Sequence, residues 1–149
     1  MNTNTRKSNR LINHDYSQGC SYFVTICTKE QTNFFWQKYT LSNAGQVTEN
    51  EILQIQNIYV GVFVEHYVIM PNHVHMIISI HANGRQDAAP SLSRIIGSWK
   101  RAISLKLKFS PWQKSFHDHI IRDEASHKKI AEYIRTNPTN WKTDCFYIP

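Results

Sequence analysis

The stretch Ile69-Met70-Pro71-Asn72-His73-Val74-His75-Met76-Ile77-Ile78 decides how this chain is read. Residues from His73 to Ile80 are apolar and rich in β-branched types, which favours a strand. In a strand, residues i and i+2 share a face, so His73 and His75 project side by side while Val74 turns into a core. Two neutral imidazoles at that spacing can bite one divalent metal ion. Upstream, Val62 to Met70 reads as a second strand, and Pro71-Asn72 between the two is a turn signal. Residues 62–80 are therefore expected to form a hairpin with the histidine pair just after its turn.

Working outward, Tyr22-Phe23-Val24-Thr25-Ile26-Cys27-Thr28 is a strong strand candidate. Residues 31–41 read as irregular and aromatic. From about Ser42 to Tyr59, Ile52, Ile55, Ile58 and Tyr59 recur at helical spacing, with Gly45 blurring the start. Residues 82–90 read as a loop. Ser91 caps a helix whose apolar face is Leu92, Ile95, Ile96, Trp99, Ile103 and Leu107, and Ser110-Pro111 ends it. Arg94, Arg101 and Lys108 form a seven-residue stripe on another face. Phe116 to Arg122 reads as a short fourth strand. Asp123 and Glu124 open a last helix, complementing its positive N-terminal dipole, and Pro138 ends it. The order is βαββαβ plus a C-terminal helix, which implies an α+β, ferredoxin-like antiparallel sheet.

The chain has 149 residues, 41% hydrophobic and 19% charged, with a formal net charge of +6. Residues 1–20 are polar and carry Arg6, Lys7 and Arg10, so they read as a basic arm before a single domain spanning 21–149. The positive balance suits a polyanionic partner, nucleic acid first, although many soluble proteins are mildly basic. Cys20, Cys27 and Cys145 are odd in number and lack CxxC spacing, which argues against a disulfide framework and a structural zinc site. No apolar leader and no run of 18 apolar residues occurs, so neither secretion nor a membrane span is expected. A reducing cytoplasm is the default location.

Tyr133 and Asn137 are four apart on the last helix and share a face. A tyrosine hydroxyl can act as a covalent nucleophile. With an ordinary pKa of about 10 it needs an electrophile that is already polarised. A metal on His73 and His75 could polarise a phosphodiester, and Asn137 offers a carbonyl oxygen to complete the metal's protein shell. Oxygen plus imidazole without thiolate suits Mg²⁺ or Mn²⁺, though zinc would also bind. His117 and His119 form a rival i, i+2 pair on the fourth strand, as a second ligand set or as solvated edge residues.

With these residues in place, the chain resembles the REP-associated tyrosine transposases, a branch of the single-tyrosine HUH transposases of insertion sequences. The resemblance runs along nearly the whole chain. It is carried by Asp15-Tyr16-Ser17, by the 22–28 strand and by Met70-Pro71-Asn72-His73-Val74-His75. It continues through residues 112–123 and Tyr133-Ile134-Arg135-Thr136-Asn137-Pro138. It implies an RNA-recognition-motif-like sheet with the active site on its face. His73 and His75 would be the HUH histidines, Tyr133 the nucleophile, and Asn137 the polar residue that helps bind the metal. The implied activity is cutting and rejoining single-stranded DNA, often beside a hairpin, through a 5′-phosphotyrosine intermediate. Single-stranded or hairpin DNA would be the partner, contacted by Arg6, Lys7, Arg10, Arg94, Arg101, Lys108 and His119. The enzyme would be cytoplasmic and nucleoid-associated, a monomer or a homodimer. The alternative is a non-catalytic nucleic-acid-binding module that stacks bases on sheet aromatics such as Tyr22 and Phe23. A third reading is a metal-dependent nuclease using water, which leaves no covalent adduct.

Overall fold

The computed structural model describes residues 19–81 and 90–149. In chain order the elements are β1 (Cys20–Cys27), β2 (Trp36–Gln37), β3 (Thr40–Leu41), α1 (Asn43–Ile58), β4 (Val62–Met70), β5 (His73–Ile80), α2 (Leu92–Leu107), β6 (His117–Ile121) and α3 (Glu124–Thr136). Single 3-10 turns lie at Lys29–Gln31 and Trp141–Thr143. The main sheet has the order β4-β5-β1-β6, and every neighbouring pair is antiparallel. This is the ferredoxin-like arrangement expected from the element order, with the third helix added.

The period-2 alternation of the strands divides the molecule. Val24 and Ile26 of β1 and Val74, Met76 and Ile78 of β5 pack with Ile52 and Ile55 of α1 and Ile95, Ile96, Trp99 and Ile103 of α2. The intervening residues face the other way. There Ile77 and Ile121 pack with Ile134 of α3, flanked by Phe23, Val68 and Ile130. So α1 and α2 cover one face with the large core, and α3 covers part of the other. His73, His75 and Thr25 lie on the α3 side.

Capping explains where the helices start. The Ser42 hydroxyl accepts from the Gly45 amide, Ser91 from Arg94, and the Asp123 carboxylate from Ser126. Gly45 is inside α1 for a steric reason. A Cβ there would run into the Phe35 carbonyl oxygen, with Leu41 side-chain atoms 3.1 Å away.

The structure departs from the sequence reading at several boundaries. Cys20, assigned to the arm, is buried and opens β1. The supposedly irregular 31–41 segment contains the β2–β3 ribbon, too short to show a period, turning through Lys38 at φ 59°. Helix α2 stops at Leu107 rather than at Ser110-Pro111, because Lys108 adopts the left-handed conformation with φ 65°. Residues 1–18 of the arm and 82–89 of the loop lie outside the described residues.

Candidate metal centre and nucleophile

His73 and His75 stand on one face of β5, as their spacing requires, with ring centroids 4.6 Å apart. Both are buried, at 0% and 2% exposure. Each ring is held by its Nδ1. That of His73 lies 2.8 Å from Asn72 Oδ1, and that of His75 lies 2.9 Å from Thr25 Oγ1, its cross-strand partner. The Asn72 amide nitrogen donates to the Phe146 carbonyl at 2.7 Å and the Gln31 carbonyl at 3.4 Å. Its oxygen must therefore face His73, and the His73 Nδ1–H donates to it. A hydrogen bond with the Val24 backbone also engages His75. With Nδ1 of each ring held by these partners, Nε2 is the nitrogen left to offer a lone pair.

Those two Nε2 atoms and Asn137 Oδ1 are buried without a hydrogen-bond partner. Leaving such an atom unpaired costs about 1–3 kcal/mol. Asn137, 3% exposed, follows the last residue of α3 as its C-cap and lies close to both His73 and Tyr133, its Oδ1 outside hydrogen-bond geometry with either. Two imidazole nitrogens and an amide oxygen, all lone-pair donors with no proton to receive, fit a divalent cation. Among the described residues, no three His, Cys, Asp or Glu side chains already stand together as a ready-made ion cage. The set depends on counting the amide.

The electrostatics agree with metal-ready imidazoles. Burial pushes His73 down to about 4, against the opposing pull of the Asp144 carboxylate. Burial, then the neighbouring His73, push His75 down to about 3. Both are neutral near pH 7, so the 4.0 Å approach of Asp144 to His73 Nε2 is not an ion pair there.

Tyr133 projects from α3 toward the pair, its ring centroid 5.4 Å from that of His75 and 6.3 Å from that of Phe23. It is 41% exposed, so part of the residue is open to a ligand from solvent. Burial, helped by Asp144 and Cys145, raises its pKa above the ordinary phenol value. The phenol is therefore protonated at neutral pH.

Three residues of this centre escaped the sequence reading. Thr25 and Asn72 orient the imidazoles, and only strand register brings Thr25 to His75. Asp144 lies in the segment after α3, which the reading gave no role. That segment folds back on the site, with the Phe146 ring 4.5 Å and the Trp141 ring 6.1 Å from that of His73. Asn33 ties its end down by donating to the Ile148 carbonyl at 3.1 Å.

The other candidates are placed as follows. His117 and His119 pair across β1 with Thr25 and Phe23, so they share the α3 side of the sheet but are exposed on its edge. Phe23 faces the site and stacks on His75 at 5.1 Å, whereas Tyr22 packs against the opposite core and is not a stacking platform on this face. Arg94, Arg101 and Lys108 are exposed on α2 or at its end, across the sheet from the histidines. Arg6, Lys7 and Arg10 lie outside the described residues.

The four-stranded antiparallel sheet with its helices is a fold shared with solved structures. A REP-associated tyrosine transposase, solved bound to a REP hairpin, matches with a TM-score of 0.65 over 88% of this chain and 73% of its own, at 20% identity. A candidate transposase of Deinococcus radiodurans R1 matches with a TM-score of 0.52 over 85% and 97%, at 16% identity. At these identities the likeness is one of fold. In sequence, the chain belongs to the family of an uncharacterized protein of Haemophilus influenzae (strain ATCC 51907 / DSM 11121 / KW20 / Rd). The two are 31% identical over 168 aligned residues, covering 96% of this chain and 93% of the relative. No protein-family profile matches the chain.

Proposed function

We propose that this chain is a single-tyrosine HUH transposase. It would cut and rejoin single-stranded DNA, at hairpin or repeat sequences, with Mg²⁺ or Mn²⁺ held by His73, His75 and Asn137. The observation that carries the reading is the convergence of three buried, unpaired donor atoms with a half-exposed tyrosine. A non-catalytic binding module has no use for that set. The fold shared with the hairpin-bound transposase supports the same reading.

A divalent ion at these donors would neutralise charge on the scissile phosphate. The chain's own residues do the rest. Asn72 and Thr25 hold the two rings with Nε2 outward, the arrangement by which outer partners fix ligand orientation. Helix α3 sets Tyr133 above the pair, and its hydroxyl attacks the phosphorus. The Tyr133 O–P bond forms, the bond from phosphorus to the 3′ oxygen breaks, and the proton lost by the phenol is balanced by the one that the released 3′ oxygen takes up. A free 3′-OH and a 5′-phosphotyrosine result. Attack by a 3′-OH on that linkage restores a phosphodiester and frees Tyr133, so rejoining needs no nucleotide cofactor.

The test is a panel of end-labelled single-stranded hairpin oligonucleotides with Mg²⁺ or Mn²⁺, resolved on denaturing gels. A denaturant-resistant adduct whose 5′-phosphate maps to a peptide containing Tyr133 is expected, and Tyr133→Phe loses it. Cleavage without an adduct would instead indicate hydrolysis by water. An adduct on Tyr67 or Tyr147 would overturn the assignment of the nucleophile.

A further inference from the structure

Asp144 is a carboxylate set beside the histidine pair and Asn137. Its side chain is 1% exposed. Its Oδ2 accepts from the Asn137 amide at 2.9 Å and its Oδ1 from the Phe146 backbone N–H at 2.8 Å. Among the described residues no lysine or arginine is in ion-pair contact with it, and the basic side chains beside it are the imidazoles of His73 and His75. A buried carboxylate ordinarily has a cationic partner or a metal. Here it lies beside three buried lone-pair donors that have no hydrogen-bond partner. A cation held by the two rings and the amide would lie beside this carboxylate.

We propose that Asp144 is the acidic member of the metal centre. It aims the Asn137 carbonyl oxygen at the ion and supplies the charge that balances it. This inference rests on the metal-site reading above. The aiming follows from hydrogen-bond chemistry. A carboxylate takes only a donor, so Asn137 must turn its NH₂ toward Asp144 and its oxygen away from it. The charge follows from distance. Asp144 Oδ2 stands 4.0 Å from His73 Nε2, close enough to balance the charge of an ion held by the rings. Asp144 acts as a positioning residue whether or not it touches the ion itself. Two neutral rings and an amide would leave the ion's charge unbalanced. A carboxylate among them shifts the site toward hard ions such as Mn²⁺ and Mg²⁺.

The experiment is Mn²⁺ binding to the full chain stripped with EDTA, followed by electron paramagnetic resonance of the free ion and by thermal unfolding with and without Mn²⁺. Asp144→Asn keeps an acceptor for the Asn137 amide and removes the charge. Its Mn²⁺ affinity should fall about ten- to a hundredfold. Its unfolding temperature in EDTA should hold, while the rise produced by Mn²⁺ shrinks. Should that variant not fold, Asp144→Ser asks the same question with a smaller acceptor. An affinity within twofold of the parent overturns the proposal. So does a variant that changes the unfolding temperature in EDTA but not the Mn²⁺ affinity, since Asp144 would then be only an anchor for the C-terminal segment. His73→Ala serves as the reference. If it binds Mn²⁺ as the parent does, the metal-site reading itself fails, and not merely the part given to Asp144.

Discussion

The two buried imidazoles couple stability to pH. An unfolded histidine takes its proton near 6.5, whereas the folded chain resists until about 4 at His73 and about 3 at His75. Below pH 6.5 the unfolded state therefore binds protons that the native state refuses. Stability in EDTA is fully present above that pH and falls as the pH drops, by about 1.4 kcal/mol per pH unit for each histidine, levelling off below the native values. Urea denaturation at pH 7 and pH 5 measures this. His75→Gln should show a shallower loss, and an unchanged slope would show that the ring is not the source. Asn72→Ala tests the orientation of the other ring, with Mn²⁺ affinity expected to drop about ten- to a hundredfold. His73, His75, Tyr133 and Asn137 could be picked out of the sequence because their spacings are those of a strand and a helix. Thr25 could not, since it meets His75 only through a pairing 50 residues apart. Asp144 could not either, because nothing periodic in its own segment points to a centre built on β5 and α3.

Among the elements, β4 shows why a correct strand assignment does not give the facing of every side chain. Val62 and Val64 pack on the α1 side, and so do Tyr67 and Ile69, one even-numbered pair and one odd. The register shift between Val64 and His66 reconciles them, with Glu65 as the extra residue. A strict period of two would have turned half of this strand inside out. The β2–β3 ribbon escaped for a different reason. Its strands are two residues each, and what fixes the segment is tertiary, with Trp36 Nε1 donating to the Ile69 carbonyl at 2.8 Å. Gly45 sits where α1 crosses this ribbon. Gly45→Ala should destabilise by about 1–3 kcal/mol despite the better helix propensity of alanine, because the new methyl meets backbone. The readout is a lower urea midpoint at unchanged slope. A midpoint that rises would mean the ribbon moves aside freely.

At the level of the molecule, the sheet separates the edge histidines from the basic stripe of α2. His117 and His119 share the side of Tyr133, while Arg94, Arg101 and Lys108 lie beyond the large core. With a net charge of +6, binding to single-stranded DNA should weaken with salt, by a slope of about 0.7 per phosphate contacted. Replacing the α2 stripe with alanine should leave single-turnover cleavage at saturating DNA intact, and a loss there would put the stripe in the substrate path. The same strand order also governs how the chain assembles during synthesis. β1 is made first yet lies between β5 and β6, the sheet strands made last. At about 5–20 residues per second, its second edge waits roughly 5–20 seconds for residues 117–121 to emerge. Throughout that time a β-branched strand has at least one open edge, so the nascent chain is exposed to aggregation and to capture by chaperones before a native sheet exists.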